Sequence, residues 1–296
     1  MSTDDAATRA TAPTTAIPPL GAPTASPGPA VPGALEIEGT WNARDVGGRA
    51  VPVGGTGPLR PGVLLRTASL SRLTASGQAA LADLGVTTVL DLRGDDELER
   101  DGVDVVPGGV TVLRRGMDPA RGLGSGSDEV GGTRSADPAA LVASLVTAPD
   151  PAVVARRMML GVYETFVRDP GIRATVGRVL ADLAAAPGAV VVHCSAGKDR
   201  TGWVVALAQH VAGVGEDDRM TEYLASAAAA DGLAAVVPPI PGLDAAALGP
   251  LLTVEPDYLS SAWELAEREH GDIDGYLAAC GVTDDVRDAL AARLVP

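Results

Sequence analysis

From Leu35 onward, short β-branched runs alternate with segments whose apolar residues recur at helical spacing, the pattern of a sheet covered by helices. Gly62–Arg66 (GVLLR) and Val86–Leu92 (VTTVLDL) have the length and composition of strands. Between them, Thr74–Leu84 places Ala79, Leu81 and Leu84 at helical spacing, and Gly85 follows where a helix C-cap favours glycine. Val110–Arg114 (VTVLR) predicts a further strand. Ala189–Val192 (AVVV) predicts a central one, apolar throughout because both its faces are covered. Helices are predicted over Ala152–Val167, Ile172–Ala185, Thr201–Val214, Arg219–Ala230, Ala245–Leu252, Pro256–His270 and Thr283–Leu294. The expected fold class is α/β: a central, mostly parallel sheet flanked by helices, with a helical insertion and a helical carboxy-terminus.

Three stretches break this pattern. Residues 1–34 hold 7 of the 23 prolines and carry neither periodicity, so a disordered Pro/Ala/Thr-rich tail is expected ahead of a single domain over 35–296. Gly116–Pro138, which contains GLGSGSDEVGG, predicts a long loop that is either disordered or a lid. Ala225–Leu252, Ala-rich and broken by Pro238, Pro239 and Pro241, predicts either a helical cover over the site or ordinary core helices.

Composition narrows the function classes. Hydrophobic residues make up 46% of the 296 positions but aromatics only 3%, so Ala, Val and Leu must supply most of the core. The formal charge is −15, of which the tail carries only Asp4, Asp5 and Arg9. Such an acidic body argues against general capture of nucleic acid or of an anionic membrane. Two cysteines and three histidines exclude a disulfide framework and a Cys-rich zinc site, and a reducing compartment is expected. Asp4 and Asp5 stand where a signal peptide needs positive charge, and no apolar run approaches the length of a membrane span. A cytoplasmic protein, or one exported without a cleaved signal peptide, is expected, with no stable membrane insertion.

The predicted central strand runs directly into His193-Cys194-Ser195-Ala196-Gly197-Lys198-Asp199-Arg200-Thr201-Gly202. A helix opening here leaves its first N–H groups without intrahelical partners, and with the helix dipole they make a site for an anion such as phosphate. Cys194 aims its sulfur at that site. Arg200, six positions on, returns across the loop with a fork that matches two phosphate oxygens better than a lysine would. Gly197 allows a turn that a side chain would obstruct. Bringing a thiol from pKa ~8.5 to ~5 takes ~5 kcal/mol, within reach of converging amides and a guanidinium. The bland alternative is a small buried Cys194 and a surface Arg200. It requires His-Cys-x-x-Gly-x-x-Arg-Thr-Gly to have arisen by chance, on the order of once in a million chains of this composition. A Walker nucleotide loop fails, because it needs Gly at position 192 and Ser or Thr at 199, where the chain has Val192 and Asp199.

This segment resembles the signature loop of the cysteine-dependent protein tyrosine phosphatase superfamily, and its Gly-Lys-Asp-Arg-Thr-Gly form resembles the bacterial tyrosine/serine protein phosphatase family. Asn42-Ala43-Arg44-Asp45-Val46-Gly47-Gly48, Arg66-Thr67-Ala68-Ser69-Leu70, Leu90-Asp91-Leu92-Arg93 and the carboxy-terminal His270-Gly271-Asp272-Ile273 with Tyr276-Leu277 resemble further blocks of that family. The resemblance spans roughly 35–294. Two places depart from it: Ala43 replaces an aromatic, and Glu222-Tyr223-Leu224-Ala225-Ser226-Ala227 matches its Asp-Tyr-Leu-x-Ser/Thr-Asn only loosely.

The resemblance implies a phosphatase-like fold and phosphoryl transfer through a cysteinyl-phosphate, with no metal and no cofactor. It implies Cys194 as nucleophile, the amides of Ser195, Ala196, Gly197, Lys198, Asp199 and Arg200 around the phosphate, and Thr201 assisting departure of the sulfur. His193 is expected to orient the loop or tune the thiolate rather than act as a base. Asp199 is expected to be the general acid, with Asp91 as competitor, since no Trp-Pro-Asp tripeptide occurs. Lys198 is expected at the rim, either contacting a second phosphate or solvated, and Asp45 and Arg93 in structural ion pairs. The expected substrate is a phosphotyrosine protein, with dual specificity toward phosphoserine and phosphothreonine as one extension and a phosphoinositide as the alternative. The competing classes are a phosphate-binding pseudophosphatase, which would bind without turnover, and a sulfurtransferase, which would turn over thiosulfate.

Overall fold

The computed structural model describes residues 31–48, 58–119, 138–230, 233–234 and 240–296. Residues 1–30 of the predicted tail, 120–137 of the predicted loop and residues 231–232 and 235–239 of the proline-interrupted stretch lie outside the described residues.

Strand β5 (Ala189–His193) is buried at every position and lies at the centre of a five-stranded sheet of order β1-β2-β5-β3-β4. It runs parallel to β2 (Leu64–Thr67) on one side and to β3 (Val86–Asp91) on the other, and β3 is parallel to β4 (Thr111–Arg114). Only the two-residue edge strand β1 (Arg44–Asp45) is antiparallel, paired with β2. Register brings His193 opposite both Thr67 and Asp91, so three strands finish at one level. Loops leaving that edge converge above it, where open α/β sheets place their ligands.

The sheet separates two cores. Val190 and Val192 face a large cluster, while Ala189 and Val191 face a smaller one built with Leu65, Leu81 and Val89. This is the period-2 alternation of a strand covered on both sides. Helix α1 (Ala75–Asp83), N-capped by Thr74, covers the small side. The large side holds α4 (Pro151–Arg168), α5 (Pro170–Ala185), α6 (Asp199–Val211), α7 (Glu216–Leu224), α8 (Ala245–Leu252), α9 (Pro256–His270), α10 (Ile273–Ala279) and α11 (Asp284–Leu294). Although aromatics are scarce, Tyr163, Phe166, Trp203, Tyr223, Tyr258, Trp263 and Tyr276 pack ring against ring in this layer. Few aromatics therefore still organise the larger core.

Several boundaries differ from expectation for identifiable reasons. Helix α5 begins two residues early because Asp169 caps it and Pro170 takes its first position. Helix α6 also begins early, at Asp199, which puts Asp199 and Arg200 in its first turn. The predicted helix Arg219–Ala230 divides into α7, whose first turn is acidic, and a 3-10 turn over Ala225–Ala229. Helices α2 (Asp95–Asp101) and α3 (Pro138–Thr147) and strand β1 carry no predicted counterpart. Helix α2 buries none of its residues, so no apolar period marks it.

Candidate active site

The loop 194–198 drops from β5 into the first turn of α6. Gly197 takes φ 66°, and a Cβ there would lie 2.1 Å from the Thr67 carbonyl oxygen, so the loop presses directly on the end of β2. No side chain caps α6, whose first amides therefore face the loop. Cys194 is 2% exposed at the base of this cradle. Burial pushes its thiol up, but the Arg200 guanidinium and the Thr201 hydroxyl favour the ionised sulfur and bring it below its ordinary range, against opposition from Glu97 and Asp199. Thr201 Oγ1 makes no regular hydrogen bond with another group, which leaves it to the sulfur.

Arg200 meets a carboxylate on α2, a helix that no apolar spacing marks in the sequence. Its Nη1 and Nη2 donate to Glu97 Oε2 and Oε1 at 2.5 and 2.6 Å. Ser195 Oγ donates to Glu97 Oε1 at 2.5 Å and the Gly94 amide to Oε2 at 2.9 Å. Burial would raise the Glu97 pKa, yet Arg200 and these donors pull it down to about 2. Arg200 also donates to the carbonyls of Leu92 and Met117 at 3.3 and 3.2 Å. The guanidinium is thus held from the β3 and β4 loops before any substrate arrives.

A second ion-pair group lies beneath the loop. Glu222 accepts from Arg44 Nε at 2.8 Å and from Arg66 Nη1 at 2.7 Å, and Ser226 Oγ accepts from both arginines. Arg66 Nη2 donates upward to the Gly197 carbonyl at 2.5 Å. Asn42, in the left-handed region at φ 55°, donates Nδ2 to the carbonyls of Ala196 and Gly197 and accepts from Arg44 through Oδ1 at 2.7 Å. The loosely matching stretch at 222–227 therefore supplies two of the loop's supports.

His193 points away from the anion site. Its Nε2 lies 2.9 Å from Asp104 and its Nδ1 3.0 Å from the Cys194 carbonyl. Burial would keep the ring neutral, but Asp104, with Asp91 beyond it, raises its pKa, and a protonated ring donates at both ends. Arg93 donates to both Asp91 and Asp104. Asp91, Asp104 and His193 bring three ligand-type atoms within 4.8 Å of one another, but this built-in guanidinium already balances the carboxylates.

Residues Cys194 to Thr201 follow one another through the loop and the first turn of α6, and the other candidates have partners of their own. Asp91 is 1% exposed and paired with Arg93. Lys198, expected at the rim, is 6% exposed. Its ammonium donates to the carbonyls of Leu251 and Thr253 at 2.6 and 3.0 Å and lies 3.3 Å from Asp199, so it ties the end of α8 to the loop. Asp45, expected in an ion pair, instead accepts the amides of Gly47 and Gly62 and pairs with no cation among the described residues. Asp199 receives the Tyr163 hydroxyl on Oδ1 at 3.1 Å. Cys194 and Cys280 are both free, and burial pushes the Cys280 thiol up to about 11.

The chain matches known proteins over most of its length. Residues 35–296 match the Tyrosine phosphatase family. Triple specificity protein phosphatase PtpB of Mycobacterium tuberculosis is 32% identical over 269 residues, covering 84% of this chain and 94% of its own. Among solved structures, P. aeruginosa TpbA is 18% identical over 74% of this chain and 87% of its own, with a TM-score of 0.32. A TpbA variant in complex with phosphotyrosine is 19% identical over 64% and 86%, with a TM-score of 0.28.

Proposed function

The chain belongs to the tyrosine phosphatase family and is a cysteine-dependent phosphatase, and we propose that it hydrolyses phosphotyrosine in proteins through a cysteinyl-phosphate. The observation that carries this reading is the buried Cys194, its thiol lowered by Arg200 and Thr201, under the open first turn of α6.

The thiolate attacks phosphorus in line while the P–O bond to the substrate breaks and its electron pair passes to the leaving oxygen. The amides of residues 195–200 and the Arg200 guanidinium hold the three remaining oxygens. Asp199, in the first turn of α6, gives the leaving oxygen its proton. Water then attacks phosphorus and loses a proton to the Asp199 carboxylate as the S–P bond breaks, with Thr201 donating to the departing thiolate. His193 and the Glu222 group keep the loop in shape and stay outside the chemistry.

The triple specificity named for the M. tuberculosis relative supports a range wider than phosphotyrosine, and phosphoinositides are proposed as further substrates. Lys198 is committed to two carbonyls and Asp199, so recognition of a second phosphate does not rest on it. The test is hydrolysis of p-nitrophenyl phosphate in EDTA, followed by a comparison of phosphopeptides with phosphoinositides. Wild-type protein turns over, and Cys194→Ser loses at least about a thousandfold in kcat. Retained activity in that variant sinks the mechanism.

A further inference from the structure

We propose that Tyr163 is a positioning residue for Asp199, with Tyr223 completing a buried hydroxyl chain; this rests on Asp199 being the general acid. Tyr163 Oη lies 3.1 Å from Asp199 Oδ1 and 2.7 Å from Tyr223 Oη. A carboxylate only accepts, so Tyr163 donates to Asp199 and Tyr223 donates to Tyr163, and each hydroxyl proton has one acceptor. Burial, and the Asp199 charge next, raise the Tyr163 phenol well above its ordinary range, which keeps it a donor at every working pH.

The geometry around the chain is rigid. Tyr163 is fully buried on α4, and its ring sits 5.0 Å from Phe166, 5.8 Å from Tyr258 and 6.3 Å from Tyr223 between centroids. No rotation of that ring carries its hydroxyl to another partner without opening the aromatic layer. On the other side of the carboxyl, Lys198 Nζ lies 3.3 Å from Asp199 Oδ2 and is itself pinned by two carbonyls. Oδ1 is thus committed to the chain, and Oδ2, with only the longer contact, is the oxygen that exchanges a proton with the substrate. A side chain in the first turn of an uncapped helix would otherwise sample several rotamers, and proton transfer falls off steeply with such freedom.

The experiment compares two substrates that differ in their need for a proton. p-Nitrophenolate leaves without assistance, whereas phenolate from phenyl phosphate needs the acid. Tyr163→Phe keeps the ring, and it is expected to lower kcat/KM, which reports only the step that expels the leaving group, about tenfold on phenyl phosphate and less than about twofold on p-nitrophenyl phosphate. Tyr223→Phe gives the same pattern more weakly, and Tyr163→Phe adds no further loss to Asp199→Asn. Thermal unfolding of each variant reports whether the fold is intact. If Asp199→Asn is selective for phenyl phosphate and Tyr163→Phe slows both substrates equally or neither, the positioning role is overturned and the acid assignment stands. If Asp199→Asn itself shows no such selectivity, the acid assignment falls and the positioning role falls with it.

Discussion

Glu97 sits in the fork of Arg200 while Glu222 bridges Arg44 and Arg66 beside the same loop, and their surroundings give them opposite work. In front, the Glu97 side chain is 21% exposed and its partner Arg200 13%. Beneath, Glu222 is 4% exposed between Arg44 and Arg66, at 1% and 0%. Helix α2, which carries Glu97, buries no residue, so the ion pair and the Gly94 cap tie the helix to the loop. Helix α7, which carries Glu222, is joined to the core through the fully buried Tyr223. The same pairing chemistry holds the Arg200 guanidinium at the more open face and acts as a strut at the closed one. Solvent access and the loop carbonyls above Arg66 decide which, not the residue types.

Substitutions that separate the two sites give the largest effects. Glu222→Ala leaves two guanidinium groups buried without their carboxylate, and urea denaturation is expected to show a loss of about 3–5 kcal/mol. A loss below about 1 kcal/mol would make the strut no stronger than a surface pair.

Glu97 is expected to show itself through pH. Its folded pKa, about 2, lies below the ordinary 4.5, so its contribution is complete above pH 4.5 and disappears as pH falls from there toward 2. The shift corresponds to roughly 3 kcal/mol. Glu97→Gln removes that contribution at neutral pH and flattens the loss of stability on acidification between these values. An unchanged acid limb would mean that Arg200 does not depress the carboxylate.

The smallest effect concerns the sulfur. Glu97 is among the main groups that oppose ionisation of Cys194, and Glu222 is not. Glu97→Gln is therefore expected to lower the midpoint pH of Cys194 alkylation by on the order of half a unit, and Glu222→Gln to leave it in place where the fold survives. Equal shifts in both variants would erase the distinction between front and back.

What could be read along the chain was local. The apolar runs that became β2, β3, β4 and β5 are continuous, and the residues from Cys194 to Arg200 are neighbours, so a strand, a tight turn and a helix start suffice to bring them together. Helix α2 had a weaker local signal, an acidic first turn with Glu97 three residues after Gly94, which marks a capped helix start without apolar spacing. Nothing along the chain linked that helix to Arg200, 103 residues away.

Other assignments turned on side-chain surroundings that local order does not contain. Asp91 had the chemistry of an acid and Lys198 that of a phosphate ligand. Arg93, two residues from Asp91, occupies the first, and carbonyls 53 and 55 residues away occupy the second. Glu222 reaches Arg44 and Arg66 across 178 and 156 residues. A contiguous motif specifies its own geometry because φ, ψ and hydrogen bonds couple near neighbours. The partner of a buried charge is set by which strands end side by side. The chain order therefore determined the loop with Cys194 at its base, and the alignment of Thr67, His193 and Asp91 at one sheet edge decided which charges face it and which brace it.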